Sequence, residues 1–268
     1  MKKGHLLIAF MALLAGLSSC TIKQNSEKLT DNDCVCALDP KSIDTVSTEQ
    51  QELDYFYSLM AYAVVFKDWQ TTAAKDSSRG YNIGSVLVGK DHYVANWARN
   101  SVNITMNGSQ HGEVRLMQSY LDKTRSFSLK GFTIYTTLEP CAMCSGMMKL
   151  TSIYRTVYGQ TDPGFGKALE RLQLESATCC KDGYMPYPRP VISDKSPDPV
   201  SIEIDSAYAQ YKGGSITDYL ATPVAEFFFT KATKMFEQYN EAKNPQNQTY
   251  IDSAHVFYQK VVPALKKK

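Results

Sequence analysis

Two short motifs contain the residue types of a catalytic metal site. One runs from His111 through Gly112 to Glu113, and the other is the pentapeptide Pro-Cys-Ala-Met-Cys at residues 140–144. One histidine and two thiolates supply three protein ligands for zinc, and a catalytic zinc site keeps its fourth position open for water. The sequence therefore predicts a zinc site in which Glu113 is free for acid–base chemistry. The predicted ligands are His111, Cys141 and Cys144.

The spacing of His111 and Glu113 suits two different roles. If Ser109 or Gln110 opens a helix, both residues lie in its first turn, where side chains two positions apart diverge by about 200°. One side chain can then bind the metal while the other reaches the water or the substrate.

The spacing of the two cysteines suits a shared ligand role. Cys141 and Cys144 are three residues apart, so on a helix they lie on one face. Pro140 fits the position just before that helix, because its missing N–H costs nothing there. Unpaired N–H groups at the helix start also lower the pKa of nearby thiols and favour the metal-binding thiolate.

Short β-branched and aromatic runs alternate with amphipathic segments along the chain. The predicted strands are residues 81–88, 93–98, 132–138, 156–159 and 200–204. The predicted helices are residues 112–121, 141–150, 167–174, 215–239 with Pro223 as a start or kink, and 249–265. This alternation predicts a three-layer α/β/α sandwich with a mixed sheet of about five strands, in which ligands bind at the carboxyl ends of strands.

The segment TLEPCAMCSGMMKLTSIYRTVYG at residues 137–159, followed by Gln-Thr-Asp-Pro, resembles the cytidine and deoxycytidylate deaminase superfamily. It is most similar to the branch of bacterial tRNA adenosine, cytosine and guanine deaminases, and the similarity covers about residues 49–239. The resemblance implies the cytidine deaminase-like fold, with Glu113 as proton shuttle and Asn100 as a hydrogen-bonding partner of the substrate. It also implies the same three zinc ligands. Gly112 stands where the family usually has alanine.

The reaction implied by the resemblance is zinc-dependent hydrolytic deamination of a nucleobase or nucleoside, a small-molecule substrate. Zinc lowers the pKa of bound water, and Glu113 would move protons between that water, a ring nitrogen and the leaving ammonia. The sequence does not choose between cytosine, adenine and guanine rings. A homodimer is compatible with these features.

The N-terminus has the pattern of an export signal. Lys2 and Lys3 precede an apolar run at residues 6–17, and small residues then lead to Cys20. This run is short for a membrane-spanning helix, and it resembles a bacterial lipobox, which implies cleavage before Cys20 and acylation of that cysteine. We therefore predict an exported, membrane-anchored lipoprotein. The alternative is an ordinary signal peptide in which Cys20 is incidental.

The sequence divides into four predicted segments. Residues 1–19 form the signal peptide, 20–48 a polar tether, 49–240 the deaminase-like domain and 241–268 a C-terminal helical extension. Five prolines near residues 181–199 predict a rigid, non-helical insertion in the domain.

The charge balance disfavours a nucleic-acid partner. The chain has a formal net charge of +2, which Lys2 and Lys3 account for, so the segment from Cys20 onward is formally neutral. Nucleic-acid binding relies on lysine and arginine to neutralise phosphates. A nucleic-acid-targeting deaminase toxin is therefore the second interpretation, and a non-catalytic lipoprotein with a structural zinc site is the third.

Four further cysteines, Cys34, Cys36, Cys179 and Cys180, are even in number and permit disulfides in an exported chain. Their pairing does not follow from the sequence. A second metal site is the alternative for them. A redox role for the C-x-x-C pair Cys141 and Cys144 is also conceivable, but it leaves His111, Glu113 and Asn100 unexplained.

Overall fold

The computed structural model describes residues 46–178 and 180–263. Within them, one five-stranded sheet has the spatial order β2-β1-β3-β4-β5. Its strands are β1 (Gly84–Val88), β2 (Val94–Arg99), β3 (Thr133–Leu138), β4 (Arg155–Gln160) and β5 (Ile192–Lys195). Strand β1 runs antiparallel to β2 and β3, whereas β3, β4 and β5 are mutually parallel. The predicted mixed sheet of five strands is confirmed.

Helices cover both faces of this sheet. They are α1 (Thr48–Phe66), α2 (Gly112–Thr124), α3 (Ala142–Leu150), α4 (Ala168–Arg171), α5 (Pro199–Ala209), α6 (Ile216–Tyr219), α7 (Pro223–Gln238) and α8 (Gln248–Val261). One buried cluster packs α1, α5, α7 and α8 against one face, and a second packs α2 and α3 against the other. The three-layer α/β/α architecture is thus confirmed.

Alternation along the strands assigns side chains to the two cores. On β3, Tyr135 belongs to the α1 side and Ile134 to the α2 side. Tyr135 lies opposite Val86 of β1 and Val157 of β4, and both partners are fully buried on the same side. Register is fixed because a shift by one residue would exchange the two faces.

Helix α1 is an element that the sequence analysis did not assign. Its first turn is capped by Ser47, whose Oγ accepts a hydrogen bond from the Gln50 N–H at 3.2 Å. Thirteen of its residues are buried, on all sides of the helix. A helix enclosed in this way has little amphipathic periodicity, so the pattern that identifies surface helices is missing.

The prediction of a strand at residues 200–204 is wrong, because these residues lie in α5. Asp198 caps the helix by accepting a hydrogen bond from the Ser201 N–H at 2.9 Å, and Pro199 occupies the first turn. Val200 and Ile204 are fully buried, whereas Ile202 is 62% exposed. A strand would place all three side chains on one face, whereas the helix separates Ile202 from the other two.

The fifth strand instead lies inside the predicted proline-rich insertion. Strand β5 (Ile192–Lys195) pairs with β4 at the edge of the sheet, where prolines on either side are tolerated. The description of residues 181–199 as a purely irregular connector is therefore wrong at these four positions. Asp194 reinforces the edge through an ion pair with Arg155 at 2.5 Å.

The C-terminal half contains further differences in helix length. The helix predicted at residues 167–174 is only one turn, α4, and the segment at 215–239 forms two helices rather than one. Pro223 is the first residue of α7, which agrees with its predicted role as a helix start. Helix α8 packs into the same core as α1 and α7 through Ile251, Ala254 and Tyr258. None of the helices described here combines the length and the apolar character that crossing a bilayer requires.

Candidate metal centre and catalytic site

The three predicted zinc ligands lie together. His111 is the N-cap residue of α2, Cys141 is the N-cap of α3, and Cys144 follows in the first turn of α3. The Nδ1 atom of His111 lies 3.6 Å from each sulfur, and the two Sγ atoms are 3.6 Å apart. Helix α2 begins at Gly112, as the helix predicted at residues 112–121 does, and not at Ser109 or Gln110, the other start considered. His111 and Glu113 flank this start.

These separations match the requirements of a tetrahedral zinc ion. Bonds of about 2.3 Å to sulfur and about 2.0–2.1 Å to nitrogen place the ligand atoms roughly 3.5–3.8 Å apart at tetrahedral angles. The site also offers two thiols and one imidazole, a donor set that zinc prefers. The residues present therefore fit zinc.

Sheet topology brings the two helix starts to one edge. Strands β2 and β3 both run antiparallel to β1, so their carboxyl ends point in the same direction. The chain leaves β2 toward Asn100 and α2, and it leaves β3 toward Pro140 and α3. Both metal half-sites thus follow strands that flank β1 and end at the same edge of the sheet, which is the usual location of sites in open α/β sheets.

Glu113 places a buried carboxylate beside the ligand cluster. Its side chain is 3% exposed. Oε2 lies 3.6 Å from the Cys144 Sγ, and Oε1 accepts a hydrogen bond from the Thr136 hydroxyl at 3.1 Å. Burial raises the pKa of Glu113 above its ordinary value, which makes this carboxyl group a better proton acceptor than an exposed one.

The ligand side chains influence one another electrostatically. The hydrogen bond with Cys144 and the neighbouring His111 hold the pKa of the Cys141 thiol at about 4, so this sulfur is a thiolate at neutral pH. The hydrogen bond to Cys141 in turn raises the pKa of His111. A thiolate in this position is suited to metal binding.

Asn100 directly follows β2 and is fully buried, and only the oxygen of its side-chain amide forms hydrogen bonds with the described residues. Its Oδ1 accepts hydrogen bonds from the backbone N–H groups of Tyr81 and Val102, both at 3.2 Å. Its Nδ2 has no hydrogen-bond partner within residues 46–178 and 180–263. Gly80 permits this arrangement, because a Cβ there would stand 2.5 Å from the Asn100 Oδ1. A fixed amide with a free donor is suited to hold a ligand.

Gly112 allows α2 to approach the sheet closely. A Cβ at this position would lie 3.2 Å from the Ala98 carbonyl oxygen and 3.3 Å from the Gly84 Cα. The glycine therefore has a packing role between His111 and Glu113, and α2 continues as a regular helix beyond it.

The sequence analysis missed two hydroxyl groups that support Glu113. Ser85 of β1 donates a hydrogen bond to the Thr136 Oγ1 at 3.0 Å, and Thr136 donates to Glu113. Both side chains are buried. The available signal was the alternation of β3, which places Thr136 on the same face as Ile134 and hence toward α2.

Of the other five cysteines, only Cys180 lies within the described residues. Cys20, Cys34, Cys36 and Cys179 lie outside the described residues. Cys180 is disulfide-bonded, whereas Cys141 and Cys144 are free.

Comparison with known proteins finds a family whose zinc-binding region is similar to this site. Residues 61–160 match the family described as the cytidine and deoxycytidylate deaminase zinc-binding region. The match includes Asn100, Glu113 and all three residues of the ligand cluster, and it is shorter than the similarity predicted at residues 49–239.

Proteins similar to this chain include tRNA-specific adenosine deaminase 2 of Xenopus tropicalis, which is 33% identical over an alignment of 110 residues; the match covers 37% of this chain and 65% of that protein. The tRNA-specific adenosine deaminase of Bacillus subtilis (strain 168) is 33% identical over 84 residues, 31% of this chain and 52% of the relative. The chain thus spans between half and two thirds of their lengths. A solved structure from a study of A-to-I editing by tRNA:A34 deaminases is 26% identical, with a TM-score of 0.34, and the match covers 42% of this chain and 83% of that one.

Proposed function

We propose that the deaminase domain catalyses zinc-dependent hydrolytic deamination of a nucleobase or nucleoside. The observation that carries this proposal is the position of Glu113, a buried carboxylate with a raised pKa, 3.6 Å from the Cys144 sulfur in the ligand cluster. A structural zinc site is usually closed by four protein ligands. Three ligands with a proton-transfer group beside them support a catalytic site.

His111, Cys141 and Cys144 would hold the zinc ion, which when bound supplies a Lewis acid that makes water a nucleophile at neutral pH. Glu113 accepts the proton that water loses and delivers it to a nitrogen of the ring. The same carboxylate then takes the proton of the added hydroxyl group and delivers it to the amine, so the C–N bond breaks, ammonia leaves and the C=O bond forms. Glu113 thus acts as base and as acid in turn.

Asn100 contributes the orientation of the ring. Its Oδ1 is held by two backbone N–H groups, and its Nδ2 has no hydrogen-bond acceptor among the described residues. A ring nitrogen or carbonyl oxygen of a base could accept from this amide. Because the amide is fixed before binding, little side-chain entropy is lost when the substrate is held.

The test is ammonia release by zinc-loaded protein across free bases, nucleosides and RNA oligonucleotides that contain cytosine, adenine or guanine. Turnover of a free base or nucleoside is the expected result. Absence of ammonia from every substrate, with zinc fully bound, would contradict the proposal and favour the non-catalytic zinc lipoprotein.

An adenosine within RNA is the second candidate substrate, since both relatives above are named tRNA-specific adenosine deaminases. Activity on RNA would fall steeply with salt, because binding to a polynucleotide releases counterions. Activity on a small neutral substrate should change little over the same range.

We further propose that the protein is exported and anchored to a membrane through a lipid on Cys20. The basic start, the apolar run at residues 6–17 and the small residues before Cys20 support this location. The disulfide at Cys180 also agrees with an oxidising compartment. Wild-type protein should partition into detergent and carry fatty acid, and the Cys20→Ser variant should not. Unmodified Cys20 in protein from the native membrane would contradict the anchor.

A further inference from the structure

The connections that precede the parallel strands lie at one edge of the sheet, opposite the metal centre. Strand β3 runs from Thr133 at this edge to Leu138, and the chain then continues to the ligand Cys141. A strand of six residues spans about 20 Å, so the two edges are separate surfaces. We call the edge formed by residues 89–93, 123–132, 150–154 and 189–191 the basal edge.

Contacts between the four connections hold the basal edge together. Lys130 forms an isolated β-bridge with Ile153. A Cβ at Gly131 would lie 3.2 Å from the Lys90 Cβ, which places the hairpin turn between β1 and β2 next to the same loop. Arg189 donates a hydrogen bond to the carbonyl oxygen of the last residue of α3. The four connections therefore form one continuous surface.

The tip of the loop at residues 123–132 is apolar and fully exposed. The Phe127 side chain is 100% exposed, whereas Leu129 is fully buried. The Leu129 N–H donates to the Thr151 carbonyl oxygen at 2.7 Å, and the Ser126 hydroxyl donates to the Ser128 carbonyl oxygen at 3.0 Å. Hydrogen bonds thus fix the loop on both sides of its tip, and Phe127 projects from it into solvent.

Further apolar side chains are exposed at the same edge. Tyr154 directly precedes β4 and is 56% exposed, and Leu150 and Ile192 are exposed as well. The Ile192 N–H donates to the Tyr154 carbonyl oxygen at 3.2 Å, so these two residues adjoin. One exposed apolar residue needs no explanation, but a group of them on one edge indicates an interaction surface.

Basic residues are concentrated at the basal edge. Its four connections contain five exposed basic residues and one acidic residue, Asp91. The basic residues are Lys90, Lys123, Arg125, Lys130 and Arg189. None of these five forms an ion pair with a carboxylate of residues 46–178 or 180–263. Since the chain from Cys20 onward is formally neutral, the basal edge is a local positive surface.

The chain also enters the described domain at this edge. Gln50, in the first turn of α1, lines a groove of about 270 Å³ together with Lys90, Gly131 and Tyr154. Residues 21–45 connect this entry point to Cys20, the proposed site of the lipid. A domain tethered to a membrane meets it at a high effective concentration, so weak surface contacts are enough to hold the domain there.

We propose that the basal edge docks on an anionic membrane surface, with Phe127 inserted at the level of the lipid headgroups. Aromatic side chains favour the interface between membrane and water, and lysine and arginine are attracted to anionic headgroups. The catalytic edge then faces away from the bilayer, toward dissolved substrate. This inference rests on the proposed lipid anchor for the nearness of the membrane, and it is independent of the deaminase function.

The position of the basal edge favours a membrane over a nucleic acid as its partner. Polynucleotide binding also uses basic residues and exposed aromatic side chains. The basal edge lies a full strand length from the metal ligands, however, so RNA bound there would not present a base to Glu113. A membrane approaches from the side on which the tether joins the domain, which is the side of the basal edge.

The experiment reconstitutes the lipoprotein in vesicles of equal parts phosphatidylcholine and phosphatidylglycerol with brominated acyl chains, which quench nearby tryptophans. Phe127→Trp should show quenched emission beyond that of the wild type, whose Trp69 and Trp97 are present in every variant. Phe165→Trp is the matched control, because Phe165 is also exposed but follows β4 at the catalytic edge. The added tryptophan of this control should not be quenched.

The electrostatic contribution is measured by adding Lys130→Gln to Phe127→Trp. The ratio of docked to undocked protein, read from the quenching, should fall by about fivefold, the effect of one basic residue near an anionic surface. Quenching should also fall with added salt and in vesicles of phosphatidylcholine alone. Lys234→Gln, at an exposed lysine of α7 away from the basal edge, should leave the ratio unchanged.

Tyr154→Trp provides a second reporter at the basal edge in case Phe127→Trp does not fold, which thermal unfolding followed by circular dichroism would show. Equal quenching of folded Phe127→Trp and Phe165→Trp, or quenching of Phe165→Trp alone, would overturn the proposal. A change in the emission of Phe127→Trp with an RNA oligonucleotide, without quenching by vesicles, would also overturn it and indicate a nucleic-acid surface.

The lipid anchor and the docking surface fail in different ways. Mass spectrometry reports whether Cys20 carries an acyl chain. Acylated protein without quenching of Phe127→Trp would keep the anchor and reject the docking surface. Protein without an acyl chain that is nevertheless quenched when added to the anionic vesicles would reject the anchor and support the docking surface.

Discussion

The Thr136 hydroxyl on β3 donates a hydrogen bond to the Glu113 Oε1 at 3.1 Å, and so links the centre of the sheet to the start of α2. Both side chains are buried. The sheet thereby fixes the direction of the proposed proton-transfer group, while the two helix starts fix the metal ligands.

Replacement of Thr136 by valine tests this positioning role. Thr136→Val keeps the shape of the side chain but removes the donor to Glu113, so kcat should fall by about tenfold, the low end for a hydrogen bond to a charged group. Zinc content should remain unchanged, which can be measured by inductively coupled plasma mass spectrometry.

Thr156→Val is the matched control. Thr156 is fully buried on β4, and its Oγ1 has no hydrogen-bond partner in the described part of the chain, so valine removes no bond there. If Thr156→Val lowered kcat as much as Thr136→Val, the effect would reflect general disturbance of the sheet.

Glu113→Gln separates proton transfer from metal binding. Glutamine keeps the size of the side chain but cannot accept and release protons, so turnover should fall by roughly 10² to 10⁴-fold. Zinc content should persist, because Glu113 is not one of the three clustered ligands. Full activity of this variant on every substrate would show that the assigned role of Glu113 is wrong. The exposed Glu237 offers a control substitution, Glu237→Gln, that should leave turnover unaltered.

Zinc content provides an independent prediction about the cluster. We expect about one zinc per chain, with bonds of about 2.3 Å to sulfur and about 2.0–2.1 Å to nitrogen in X-ray absorption spectra. Chelation should abolish turnover, and added Zn²⁺ but not Mg²⁺ should restore it, because Mg²⁺ prefers oxygen ligands. A disulfide between Cys141 and Cys144 in freshly prepared, metal-replete protein would contradict the zinc site.

Glu52 on α1 supports the C-terminal segment and gives a pH-dependent prediction. Its carboxylate accepts hydrogen bonds from the Tyr239 hydroxyl, from backbone N–H groups of residues 243 and 244, and from the Asn247 amide. Burial alone would raise the pKa of Glu52, but these hydrogen bonds outweigh it and lower the pKa from 4.5 to about 2. The carboxylate therefore stabilises the fold above pH 4.5, and this contribution is lost as the pH falls toward 2.

Glu52→Gln should lower the free energy of unfolding at pH 7 by about 1–3 kcal/mol, because the new amide nitrogen cannot accept these hydrogen bonds. Urea unfolding at pH 7 and at pH 3 measures the effect, and the difference between wild type and variant should shrink at pH 3. Glu241→Gln, at an exposed position of the same C-terminal region, should leave both values unchanged. A difference that is the same at both pH values would contradict the role of the charged carboxylate.

The amino-acid sequence alone determined the metal cluster and the central strands. His111, Cys141 and Cys144 were identifiable because each ligand sits at a helix start directly after a strand or loop, where a few neighbouring residues fix the local geometry. The strands β1 to β4 were identifiable for the same reason, since short β-branched runs between turn residues carry their signal locally.

Only the tertiary structure decided the features that depend on distant segments. Val200 and Ile204 fit a strand or a helix equally well over five residues, and packing against α7 and β4 selected the helix. Thr136 became a partner of Glu113 through the docking of α2 on the sheet, and Lys90, Gly131 and Tyr154 came together from three segments of the chain. Local patterns record which residues share a strand or a helix face, whereas contacts between elements depend on how the whole core packs.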